Sequence, residues 1–419
     1  MARGSNTDAG PHGPGTRLND TDLRTGAAFW PVRDGLLGTY PPLDTNERCQ
    51  VVVIGAGITG ALAAHRLSEA GCDVVVVDRH DAGWGSTAAS SGLLLYETDT
   101  TLTDLAATLG IDTAVRSWRL GREAIDQIER LCDWLGPSGF ARRPSLYLAS
   151  SRWAARGLKS ECALRAAHGF DVEWRDRAAL HRRHGLRAAA AIYSEGEAEI
   201  DPYRFTQLVL ADVRRRNGRV YDRTEVTRVH TTERGVTLET DRGPTITADR
   251  LVVAAGYDLD RQLGKSAGTL NSTWAVVSEP VADLSWWPGR SLVWETRRPY
   301  LYLRTTEDDR VMIGGEDEPW SSRHANTRLL RSKAQRLVER LSGVFPLPSV
   351  EVAYAWAGVF GATRDGLPYI GSRPGHPHTW FALGYGGNGI TFSMVAANLI
   401  RDWWTGCANP DGQLFAFDR

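Results

Sequence analysis

Apolar residues fall along this chain in two rhythms, unbroken valine-rich runs and stripes at helical spacing. The first firm run is Gln50–Ile54, followed by a helix-like stretch over Ala61–Glu69 and a second run, Val74–Val77. A continuous valine run beside a helix reads as a strand covered on both faces, as in a parallel sheet. Between Leu102 and Trp134, Leu105, Leu109, Val115, Trp118, Ile125 and Ile128 recur at helical spacing, until Gly136-Pro137-Ser138-Gly139 stops them. Leu146-Tyr147-Leu148 predicts a strand. Pro202–Arg216 predicts a helix, with proline in its first turn and basic residues at its end. Short strands are expected at Val220, Val226–Val229, Val236–Leu238 and Leu251–Ala255, the last ending on Gly256. Tyr300–Arg304 and Val311–Gly314 predict a hairpin around Glu307-Asp308-Asp309, and Leu329–Leu341 an amphipathic helix.

Composition narrows the class. A chain of 419 residues, 42% hydrophobic and 24% charged, predicts a globular protein of two domains. A formal net charge of -1 argues against a nucleic-acid partner or a membrane-surface patch. No apolar run reaches the roughly 18 residues a spanning helix needs. Met1–Gly15 lacks the charged and apolar regions of a signal peptide. Cys49, Cys72, Cys132, Cys162 and Cys407 form no CxxC pair, so neither a disulfide framework nor a zinc site is expected. A reduced, cytoplasmic protein is the expectation. Residues 1–47 read as a tail and an extended arm, because Trp30-Pro31 and Tyr40-Pro41-Pro42 oppose regular helix.

The strongest motif joins the first valine run to the helix behind it, Val51-Val52-Val53-Ile54-Gly55-Ala56-Gly57-Ile58-Thr59-Gly60. Gly55 permits the turn, Gly57 lets backbone touch a pyrophosphate, and Gly60 lets helix and strand pack closely. The helix N-terminus beginning at Ile58 and Thr59 offers N–H groups and a positive dipole end to phosphates. Asp78, with Arg79 after it at the end of the second strand, is placed to accept ribose hydroxyls.

Further blocks follow in a fixed order. They are Gly83-Trp84-Gly85-Ser86-Thr87-Ala88-Ala89-Ser90-Ser91-Gly92, Val252-Val253-Ala254-Ala255-Gly256, Trp356-Ala357-Gly358, and Thr363-Arg364-Asp365-Gly366-Leu367-Pro368-Tyr369-Ile370-Gly371. The last is Gly384-Tyr385-Gly386-Gly387-Asn388-Gly389-Ile390-Thr391. From about residue 50 to 419 this set resembles the D-amino acid oxidase family of FAD-dependent oxidoreductases, especially its glycine oxidase and sarcosine oxidase branch. The resemblance implies an α/β fold, with a Rossmann-type FAD-binding domain and an α+β substrate domain built on a mainly antiparallel sheet. The boundaries expected are 48–98 with 196–262 and 352–419 for the first, and 99–195 with 263–351 for the second. It further implies that Gly85, Ser86, Thr87 and Gly92 line the flavin or pyrophosphate and that Val226 meets the adenine. Gly256, Gly358, Gly387, Asn388, Gly389, Ile390 and Thr391 complete the cofactor set. Ala88-Ala89 and Gly358-Val359-Phe360-Gly361 hold no histidine or cysteine where some relatives attach the flavin, so FAD is expected to be non-covalent.

The implied reaction passes a hydride from a carbon beside nitrogen to flavin N5. The imine hydrolyses to a carbonyl and an amine, and O2 is the expected acceptor, with release of hydrogen peroxide. A dehydrogenase with another acceptor and a flavin-binding subunit without turnover are the alternatives. The partner is a small amine or amino acid; no feature specifies an oligomeric state. In Tyr300-Leu301-Tyr302-Leu303-Arg304, period-2 geometry puts Tyr300, Tyr302 and Arg304 on one face, where they could hold a carboxylate. Tyr96 is a further pocket candidate. Phe360 and Gly387 stand where glycine oxidases keep arginines. Either Arg304 therefore takes over the carboxylate clasp, or the substrate is a larger N-substituted amino acid or an amine. Lys265 is a candidate for promoting reaction with oxygen.

Overall fold

The computed structural model describes residues 24–256, 269–321, 326–345 and 350–419. Among them, the first valine runs form the centre of the parallel part of an eight-stranded mixed sheet. Its order runs Arg219–Tyr221, Val74–Val77, Glu47–Ile54, Thr245–Val253, with Thr379–Leu383 also parallel to the last. The reason for the unbroken valines is visible in the packing. Val51, Val53, Val74 and Val76 pack beneath helices Ile58–Glu69, Pro202–Arg215 and Gly389–Thr405. Val52, Ile54, Val75 and Val77 point the other way, into a second core shared with the hairpin Val226–Thr232 and Gly235–Thr240. Along Val51–Ile54 and Val74–Val77 neither face is exposed to water.

The second sheet has nine strands among the described residues. The order is Arg24–Gly26, Val352–Ala362, Thr269–Ser278, Val311–Pro319, Leu301–Thr305, Leu292–Glu295, Ser145–Ala149, Ala190–Ser194, Val172–Asp176. Only Leu292–Glu295 and Ser145–Ala149 pair in parallel, so the expected mainly antiparallel character is present. Helix Thr327–Val344 packs its Leu330, Leu337 and Leu341 side into this sheet's core. The predicted hairpin is there, with Leu303 opposite Ile313.

Three expectations need correction. The arm is not simply extended: Phe29–Asp34 is a short helix, tolerated because Pro31 lies in the first turn, where its missing N–H would have no partner. The strand before it pairs with Val352–Ala362. The long helical stretch is two helices, Leu102–Leu109 and Ile111–Leu135, divided at Gly110. Strands Thr269–Ser278 and Val352–Ala362, third and second from one edge of the second sheet, carried no assignment from sequence. Lys265 lies outside the described residues. No helix among them is long and apolar enough to cross a membrane.

Candidate active site

The two sheets face a cleft of about 600 Å³. Its nucleotide end is built by the glycine motif. A Cβ on Gly60 would lie 1.7 Å from the carbonyl oxygen of Gly55, so only glycine lets the helix start this close to its strand. The helix N-terminus has no side-chain cap of its own at Gly57; the Ile58 N–H instead meets the Thr87 hydroxyl at 2.9 Å. Asp78 accepts from the Ala56 N–H at 2.7 Å and from the His80 N–H at 2.9 Å. Burial raises its carboxyl pKa, against the pull of those two donors. Ser86 Oγ is buried with no hydrogen-bond partner.

A second helix N-terminus enters the cleft from the far side. Helix Gly389–Thr405 lacks a side-chain cap, because Asn388 Nδ2 donates away from it, to the carbonyls of Leu95 (3.1 Å) and Glu97 (2.7 Å). The first N–H groups of a helix have no intrahelical acceptor. Two such ends, an orphaned serine hydroxyl and a carboxylate beside them suit a dinucleotide with a pyrophosphate and an electron-rich ring edge. The residues present fit FAD.

Between the ends runs the segment 85–92. Four successive carbonyls on it each accept from a buried donor: Ala89 from Trp356 Nε1 (2.9 Å), Ser90 from Trp30 Nε1 (2.7 Å), and Ser91 and Gly92 from Arg304 Nη1 (3.1 and 3.0 Å). Arg304 is 2% exposed, also donates to the Ile200 and Thr305 carbonyls, and lies 3.4 Å from Glu199. It is absent from the cleft wall. The expectation that Arg304 clasps a substrate carboxylate is therefore corrected: its donors are turned into the protein and fix the loop from beneath. Tyr96 is corrected likewise. It is fully buried against Trp118 and Phe170, ring centroids 5.9 and 5.5 Å away, and does not reach the cleft.

The wall does contain Gly55, Gly57, Ile58, Thr59, Asp78, Arg79, Gly85, Ser86, Thr87, Val226, Gly256, Gly358, Gly387, Asn388, Gly389 and Ile390. Gly60, Gly92 and Thr391 act from behind it; the Thr391 hydroxyl bonds the Leu95 carbonyl at 3.1 Å. Tyr300 and Tyr302 line the opposite end with Trp294. Burial pushes both phenol pKa values up, and Asp99 adds to this at Tyr300, so both remain protonated.

Two carboxylates at this end escaped sequence reasoning. Asp99 accepts from the Tyr300 hydroxyl at 2.9 Å and from the Gly387 N–H at 3.0 Å, tying the tyrosine strand to the C-terminal glycine loop. The Gly387 N–H is thus directed at protein. Asp317 lines the cleft with Oδ1 buried and unpartnered. Burial, aided by Asp99 and opposed by the Thr273 hydroxyl, raises its pKa to about 6. No lysine or arginine among the described residues lines the tyrosine end; Arg298 lies outside, over the Tyr300 ring at 4.5 Å.

Comparison with known proteins agrees with this architecture. Residues 50–403 match the DAO family, described as FAD dependent oxidoreductase. The chain is 28% identical over 394 residues to gamma-glutamylputrescine oxidoreductase of Escherichia coli (strain K12), covering 88% of this chain and 87% of that one. It is 23% identical to glycine oxidase of Geobacillus kaustophilus, over 85% of this chain and 93% of the other. The crystal structure of glycine oxidase from Geobacillus kaustophilus superposes with a TM-score of 0.75 at 20% identity, covering 87% and 96%.

Proposed function

Because the chain belongs to the DAO family of FAD-dependent oxidoreductases, we propose that it oxidises the C–N bond of an amino acid or an N-substituted (secondary) amine. The product imine is hydrolysed to a carbonyl compound and an amine. The observation that carries this reading is one shared cleft, where two helix N-termini, neither with a side-chain bond from its own N-cap residue, face the same space as Tyr300 and Tyr302. One relative is named for gamma-glutamylputrescine and another for glycine, both of which bear an amino group.

Bound FAD supplies a two-electron acceptor for the hydride leaving the substrate carbon. The chain's own residues bind and orient. The Ile58 and Gly389 helix ends, Ser86, Thr87 and Asp78 would hold FAD, with Val226 beside the adenine. Tyr300, Tyr302 and Trp294 provide an aromatic wall that confines the substrate and displaces water. Tyr300 is held in place by Asp99. With both phenols protonated, the tyrosines serve as neutral hydrogen-bonding groups and not as bases.

FAD is proposed to be non-covalent, since the wall contains no cysteine among its described residues and Ala89 and Phe360 occupy two attachment regions. Oxygen is the proposed acceptor, giving hydrogen peroxide. Anaerobic mixing of the yellow holoenzyme with glycine, sarcosine, D-amino acids, monoamines and diamines tests the reaction. Bleaching by at least one amine is expected, and bleaching by none contradicts it. Peroxide formed on admitting air separates oxygen from another acceptor.

A further inference from the structure

We infer that Asp317 is a specificity residue that receives an ammonium group of the substrate, so that the cleft selects cationic amines over carboxylates. This rests on the amine-oxidising reading above and assigns the substrate class of the same site. Three independent observations support it.

The first is how the side chain comes to be there. Thr269–Ser278 and Val311–Pro319 pair with Ser272 opposite Glu318 and Trp274 opposite Gly315, so Glu316 and Asp317 together oppose Thr273. This is a β-bulge, a device that re-aims a side chain at a site. Glu316 adopts φ 60° at the bulge.

The second is the distribution of partners. Glu316 and Glu318, on either side of Asp317, pair with two nearby cations, Lys333 Nζ 2.5 Å from Glu318 and Arg340 Nη1 2.8 Å from Glu316, while Arg298 and Lys333 act on Asp317 without an ion-pair contact. Asp99 has both oxygens bonded, to Tyr300 and Gly387. Asp317 Oδ1 alone in this group is buried in the cleft wall without a partner. The Thr273 hydroxyl supports the carboxylate but leaves Oδ1 unmet; a buried carboxylate oxygen without a partner is costly, and a cationic ligand removes that cost.

The third is the rest of the wall. Tyr300, Tyr302 and Trp294 line it with aromatic rings and two protonated phenols, one face of Trp294 stacked on Tyr147 and one of Tyr300 under Arg298; electron-rich rings and phenol oxygens favour an ammonium. Arg304, the guanidinium that a carboxylate would need, is fixed to loop carbonyls.

The test uses FAD-loaded enzyme and two probes that share a tert-butyl group and differ in charge, tert-butylammonium and pivalate. Neither has a hydrogen on the carbon next to its charged group, so neither can be oxidised there. Binding is read from perturbation of the flavin absorption spectrum. Wild type is expected to bind the cation at least about tenfold more tightly than the anion, as for a charge-assisted hydrogen bond. Asp317→Asn should remove that preference while pivalate binding is unchanged or improved. Equal or tighter binding of pivalate by wild type overturns the assignment, whether or not the variant folds. So does an Asp317→Asn enzyme with full FAD content and unchanged cation affinity. Flavin bleaching by amines without cation preference sinks the role of Asp317 and leaves amine oxidation standing. Cation preference without bleaching does the reverse.

Discussion

Arg304 and Asp317 sit on neighbouring strands of one hairpin, and depth gives them unlike roles. Alternation correctly put Tyr300, Tyr302 and Arg304 on one strand face. It could not show that segment 89–92 covers the lower part of that face, leaving Arg304 under a roof of carbonyls. Arg304→Met is accordingly expected to destabilise the fold by about 3–5 kcal/mol, the cost of breaking a buried charged network, as measured by denaturant unfolding. Amines and amino acids should lose turnover in parallel in whatever fraction stays folded; selective loss of carboxylated substrates would restore the clasp. Asp317 was illegible because three acidic residues in a row look like a solvated turn, and the bulge that turns one inward is a property of pairing register. Its pH behaviour follows from its surroundings: burial and Asp99 raise the pKa, Arg298, Lys333 and the Thr273 hydroxyl lower it, and the result is about 6. The carboxylate that binds a cation is present above that value and lost as pH falls through it. Affinity for tert-butylammonium should therefore drop between pH 7 and pH 5; a flat profile would show that Asp317 is not the acceptor.

At the scale of elements, what was legible had its cause in local chemistry. Valines covered on two faces, glycines that let helix and strand touch, and a tyrosine strand in a short hairpin all announce themselves. The segment 85–92 does not, because its rigidity comes from Trp30, Trp356 and Arg304, residues distant in sequence. The hairpin also contains a close approach: a Cβ on Gly314 would fall 2.1 Å from the ring of Tyr302, its partner across the strands. Gly314→Ala must displace that ring. FAD content should hold near wild type, since Gly314 is outside the nucleotide end. The value of kcat/KM for the best amine should fall at least about tenfold, a loss of about 1.4 kcal/mol of transition-state stabilisation. Unchanged kinetics would remove Tyr302 from the substrate wall.

Across the whole molecule, the cleft is the shared boundary of the two sheets, and the proposal sets FAD mainly against the first and the substrate against the second. The α/β assignment and the antiparallel second sheet were readable from motif order. The connection of the amino-terminal arm to the second sheet through Arg24–Gly26, and to the segment 85–92 through the Trp30 indole, was not, since a three-residue strand has no periodicity to detect. The central claim is that this boundary brings FAD against a carbon bearing nitrogen. The direct measurement is anaerobic single-turnover reduction of the flavin by the best amine, unlabelled and deuterated at the carbon next to nitrogen. The account predicts stoichiometric bleaching, slower with deuterium, and release of the matching carbonyl compound. Bleaching by alcohols or 2-hydroxy acids and by no amine would contradict it.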